Sequence, residues 1–133
     1  MRLVRRTLRS ERGDALIEGL FAFALVLLVV GVAAHALAFA HARSVATAAA
    51  QDGARAAAAA GPEAGIARAN AILGVAGDTG EGLRATAAES GNEVTVTVQG
   101  DAPRLFSLPL LLPAVRASAS LPLERYSAAE ASP

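Results

Sequence analysis

The feature that most constrains this chain is a 22-residue run, Gly19 to Ala40, that carries no formally charged side chain. A helix of that length spans about 33 Å, enough to cross the hydrocarbon core of a bilayer. A basic head precedes it. Residues 1–13 hold five arginines (Arg2, Arg5, Arg6, Arg9, Arg12) and one acid, Glu11, a net of +4. The other 120 residues hold seven arginines and eleven acids, a net of −4. A basic head before an apolar run directs the head to the cytoplasm and the remainder to the outside. The competing reading is a cleaved signal peptide. Its apolar region is normally shorter, roughly 7–15 residues, though Ala40-His41-Ala42 would serve as its cleavage site and release a soluble domain.

The helical pattern does not stop at the end of the apolar run. His41 to Ala60 contains no proline and is dominated by alanine, the best helix former. Asp52 and Arg55, three apart, share a face and can pair. Gly53 is the one weak point, and Gly61-Pro62 is the first strong stop. The expected element is a single helix from about Ala15 to Ala60, roughly 69 Å long, with its transmembrane part near 19–40. Hydrophobic residues make up 53% of the chain but aromatics only 4%, so alanine supplies the excess and core material is modest. An alanine-rich outer half is slim enough to pack closely against another helix or a small sheet; the plainer reading is a solvated stalk.

Beyond the stop, residues 61–126 read as a small α+β domain. A short helix is expected over Glu63–Leu73, with Ile66, Ala69, Ile72 and Leu73 on one stripe. Gly74 to Gly82 is glycine-rich, but no apolar strand precedes it and no helix follows, so it reads as a linker and not a phosphate-binding loop. Val94, Val96 and Val98 alternate with Thr95, Thr97 and Gln99, the period of a half-buried strand. Leu83, Ala85 and Ala87 form the matching face of a preceding strand, joined through Ser90-Gly91-Asn92 as a hairpin. Val115, Ala117, Ala119 and Leu121 give a third strand, which a hairpin needs for stability in water, together with a covering helix. The segment Pro103–Val115 is very apolar but has three prolines in eleven positions, excluding a membrane helix or an interior strand. It reads either as a loop over the sheet edge or as a contact with the membrane or a partner. Residues 127–133 read as a disordered tail.

Catalytic chemistry is not legible. The chain has no cysteine, so disulfides and thiolate metal sites are excluded. His35 and His41 are six apart, about 120° around a helix, and cannot share a metal. His35 is expected near the outer membrane interface. The remaining carboxylates are scattered. The expectation is a protein that is not an enzyme, with no cofactor, no metal, no small-molecule substrate and no nucleic-acid partner.

One constellation remains. Arg12-Gly13, four further residues, Glu18 and then an apolar helix resembles the processing site of prepilins. The fuller pattern resembles the TadE-like minor pilins (pseudopilins) of tight-adherence, Flp-type pilus systems. The stretch Ala49-Ala50-Gln51-Asp52-Gly53-Ala54-Arg55 is similar to the one that ends the long helix in that family. The strands, the proline-containing apolar loop and the last Ala/Ser-rich strand extend the likeness over most of residues 12–123. Two positions depart from it: Gly19 stands where an aromatic residue is usual, and the apolar run has no proline. The resemblance implies a pilin-like fold and cleavage between Gly13 and Asp14 by a membrane aspartyl prepilin peptidase. It also implies partnership with other pilin subunits, self or related.

A carboxylate in hydrocarbon costs about 3 kcal/mol on insertion scales unless paired, and less at the interface, where Glu18 lies. An amine freed on Asp14 would neutralise Glu18 within or between subunits; without cleavage, Glu18 reaches back toward Arg12. Gly13 lacks a Cβ and can extend in a narrow peptidase cleft. Ala34 and Ala38, four apart among small residues, are candidate helix-packing positions between subunits. The expected protein is a single-pass cell-membrane component with a cytoplasmic N-terminus and an extracytoplasmic domain, acting in pilus or secretion-system assembly. The alternative is an anchored or secreted binding module whose sheet recognises an envelope ligand.

Overall fold

The computed structural model describes residues 4–101 and 113–123, with side chains from Gly13 onward. The predicted loop within 103–115 and the tail 127–133 therefore fall largely or wholly outside the described residues, as do the arginine side chains of the head. The chain divides into two compact units, Met1–Ala36 and Leu37–Pro133.

Helix α1 covers Val4–Ala60, 57 residues. It begins earlier than the expected start near Ala15. Leucine, arginine and glutamate in the head are good helix formers, and Gly13 alone, costing about 1 kcal/mol relative to alanine, does not interrupt them. Its end is where the sequence puts it. Gly61 adopts φ +93°, a conformation that favours glycine, and Pro62 opens the next helix at a position where its missing N–H is harmless.

The second unit takes in the last part of α1, helix α2 (Pro62–Val75), a single helical turn α3 (Asp78–Glu81) and strands β1 (Leu83–Ser90), β2 (Glu93–Gly100) and β3 (Val115–Pro122). The turn α3 lies in the segment read as a plain linker, with Gly77 at φ +57° before it and Gly82 after it. The sheet is antiparallel in the order β1-β2-β3. The fold class is α+β, as the sequence predicts: a long N-terminal helix, a short second helix and three antiparallel strands.

The hairpin turn is two residues, Gly91-Asn92, between the paired residues Ser90 and Glu93. Gly91 has φ +63° and no non-glycine residue described has positive φ. That matches a type II′ turn, whose twist suits the strands it joins. Register then follows, with Leu83, Gly100 and Val115 in one row and Ala87, Val96 and Ala119 in another.

One face of the sheet is covered by the helices. Val94, Val96 and Val98 form a central ridge on β2, fully buried, and the flanking strands offer smaller Ala85, Ala87, Ala117 and Ala119. Against this ridge packs a stripe of α1: Ala42, Ala46, Ala49, Ala50, Ala54 and Ala57, each no more than 1% exposed. The spacing is that of one helical face. The alanine-rich C-terminal half of α1 is therefore no solvated stalk. Its small residues let the helix backbone sit close to the valines, so alanine here is core material by virtue of shape. Ala69 and Leu73 of α2 complete the cluster with Leu83 and Val115.

Candidate functional site

In the first unit, from Gly19 to Val30, the helix is apolar on every side and exposed among the described residues. Leu16, Leu20, Phe21, Phe23, Leu25, Val29 and Val30 all stand exposed, Leu16 at 76% and Phe21 at 73%. A helix that is apolar all round belongs in a protein core or in lipid. Among the described residues nothing buries it, and it is the one helix there long and apolar enough to cross a membrane. A long apolar N-terminal helix of this kind fits a membrane anchor.

At the start of that stretch lie the residues singled out by their spacing. Gly13, Asp14 and Glu18 are all helical, and Asp14 and Glu18 are exposed. Asp14 and Glu18 are four apart and lie on one face, so two carboxylates precede the apolar surface together. A Cβ added at Gly13 or at Gly19 would meet nothing within 4 Å. Neither glycine is required by packing within the chain. The bond between Gly13 and Asp14 sits in helical backbone. Gly13 weakens that helix locally by its poor helix propensity, about 1 kcal/mol relative to alanine.

His35 is 3% exposed and its Nδ1 lies 3.3 Å from the Gly31 carbonyl oxygen. Ala34 and Ala38 are half-buried, while the neighbouring small residues Ala33, Ala36 and Ala40 are exposed.

Farther along α1 the structure brings together residues that the sequence left apart. The predicted Asp52–Arg55 pair forms, with Arg55 Nη1 donating to Asp52 Oδ1 at 2.7 Å. The other carboxylate oxygen, Oδ2, accepts from Arg68 Nη2 of α2 at 3.2 Å. One residue on, Gly53 is the contact point between layers. A Cβ there would lie 3.0 Å from the Gly65 carbonyl oxygen and 3.1 Å from both Ala69 Cβ and Val96 Cγ1. At Gly65 an added Cβ would lie 2.6 Å from Ala57 Cβ and 2.8 Å from the Gly53 carbonyl oxygen. The Gly-Ala-Arg stretch is thus a helix-crossing device: two glycines let α1 and α2 touch backbone to backbone, and Asp52 ties the crossing with an arginine from each helix. Arg68 and Gly65 were missed in the sequence because they sit on a different helix, and no spacing rule links residues that far apart.

Among the described residues no three acidic or histidine side chains gather to hold a metal ion. Comparison of the chain with family models, curated proteins and solved structures finds no match.

Proposed function

We propose that this chain is a minor-pilin-like assembly component, anchored by α1 and processed between Gly13 and Asp14 by a prepilin peptidase. The observation that supports it best is a juxtaposition. A glycine follows a basic head, a carboxylate stands five residues on, and a helix that is apolar in every direction and exposed among the described residues comes next. Removing the head removes the net +4 that orients insertion and leaves an amine beside Glu18. Glu18 then either meets its own amine or the amine of a neighbouring subunit, and the second arrangement aligns anchors during assembly. The basic head faces the cytoplasm and the sheet-bearing unit faces outward. The small domain is a structural module and not an enzyme, and its partners are the membrane, the peptidase and other pilin subunits.

Two measurements in the native host test this. Protease added to intact, wall-stripped cells should digest a C-terminal tag while a cytoplasmic control survives; a protected tag reverses the orientation. A photo-crosslinking residue at Ala36, which is exposed, should capture a second copy or a related small pilin. Glu18→Ala should weaken that capture several-fold while leaving cleavage largely intact. Equal capture in wild type and variant would remove Glu18 from assembly.

A further inference from the structure

Two bonds on α1 carry the sequence marks of a processing site, and their surroundings differ. The first, Gly13–Asp14, lies before the apolar run; Asp14 is exposed, and a Cβ at Gly13 would meet nothing within 4 Å. The second, Ala42–Arg43, lies after it. Ala40 and Ala42 are small residues two apart, the pattern a signal peptidase reads, and Arg43 is the first charged residue beyond the run. Ala40 to Arg43 are helical and belong to the compact unit that begins at Leu37. Ala40, His41 and Arg43 are exposed, but Ala42 is 0% exposed. It opens the alanine stripe and shares one core cluster with Ala46, Ala49 and the valines of β2, and Phe39 packs partly buried against the same cluster. Ser44 Oγ donates to the Ala40 carbonyl at 3.1 Å and Thr47 Oγ1 to that of Arg43 at 2.8 Å, so main-chain acceptors on both sides of the bond are engaged.

We infer that Ala40-His41-Ala42 is a latent signal-peptidase site concealed by folding: the chain stays anchored while the second unit is folded and is cut between Ala42 and Arg43 when that unit opens. The residue next to the bond, whose small side chain the peptidase must recognise, is the one of the three held in the core. Reading it means lifting Ala42 and Phe39 out of the cluster. The helix continues on both sides, from Val4 to Ala60, so the site has no frayed end from which to open. Gly13–Asp14 has no such tertiary packing, and local opening of the helix is enough to expose it. The uncharged run, 22 residues against the roughly 7–15 of a cleaved signal, makes Ala42–Arg43 a slow substrate and leaves time for the unit to fold. When cutting occurs, water splits the Ala42–Arg43 peptide bond, leaving a carboxylate on Ala42 and an amine on Arg43, and the rest of the chain leaves the membrane. Only folded subunits then stay anchored and available for assembly.

The inference rests on the outward orientation proposed above, and the experiment separates the two. The full chain with a C-terminal tag is followed in the native host by pulse-chase, and membrane and soluble fractions are assayed for the tag and its N-terminal peptide. Wild type should stay in the membrane, with at most a trace of fragment beginning at Arg43. Val96→Asp, which puts a carboxylate into the core, should release that fragment in bulk. Val96→Ala should release about 5–30 times the wild-type trace, because cleavage follows the open population. Adding Ala42→Leu to Val96→Asp should abolish release, since the site needs a small residue. If external protease spares the tag on wall-stripped wild-type cells, the orientation fails and this inference falls with it. If the tag is digested but Val96→Asp remains anchored, the inference alone is overturned. Wild type released as fully as Val96→Asp would overturn the concealment. Release that begins elsewhere, or persists with Ala42→Leu, would be general proteolysis and overturn the site.

Discussion

Glycines in this chain have opposite roles, and their surroundings decide which. Gly65 faces Ala57 and the Gly53 carbonyl at distances no Cβ tolerates, so Gly65→Ala must push α2 off α1. The expected loss is about 1–3 kcal/mol, the usual range for overpacking, read as a lower melting temperature in detergent. Gly19→Ala meets nothing and should leave that temperature unchanged or slightly raised. The reverse order would remove the helix crossing from the account. Asp52 is a milder case. Both of its arginine partners are more than half exposed, so Asp52→Ala should cost no more than about 1 kcal/mol, and a double-mutant cycle with Arg68 should return a coupling below that. At this scale the sequence was only half legible. The Asp52–Arg55 pair followed from helical spacing. Gly53 read as a weakness because its cost is local, whereas its compensation comes from Gly65, Ala69 and Val96 on other elements.

The sheet was the most legible element, because period-two alternation is a direct record of which face is buried. Val94, Val96 and Val98 declared the core, and the hairpin placed Gly91 where the turn needs positive φ. Gly91→Ala should therefore cost about 1–2 kcal/mol, the penalty for an L-residue in the left-handed region. Val96→Ala should cost about 2 kcal/mol, from two buried methyl groups and the gap they leave beneath the Gly53 contact. Chemical denaturation of the two variants checks both values; a near-zero effect at Val96 would contradict the packing of α1 on β2. Boundaries were less legible than faces. The start of α1 lies at Val4 and not near Ala15, since helix propensity continues through the head while the apolar pattern does not. The turn α3 is too short to leave a periodic signal.

For the molecule as a whole, an apolar helix surface that the described residues leave exposed needs an apolar environment. Arginines at Val26 and Val29 would each cost about 3 kcal/mol at the centre of a bilayer. The variant carrying both should shift from the membrane pellet to the supernatant on alkaline extraction, while arginines at exposed Thr47 and Ala48 should not. Retention of the first variant would rule out insertion of this segment. A helix long and apolar enough to serve as an anchor was legible from the length of the uncharged run alone. The alanine stripe over Ala42–Ala57 was not assignable from sequence, because alanine is compatible with solvent, with lipid and with close packing alike. Only the facing valines decide among them.

The mature N-terminus tests the central claim most directly, because each fate of the anchor leaves a different first residue. Intact-mass and N-terminal peptide analysis of protein taken from the native host, with its peptidase present, should find Asp14 first and the basic head gone. Replacing Gly13 with leucine should restore the full-length mass. A mature chain beginning near Arg43 would mean that the apolar helix is discarded as a signal peptide, and it would contradict both the anchor and the pilin-like reading.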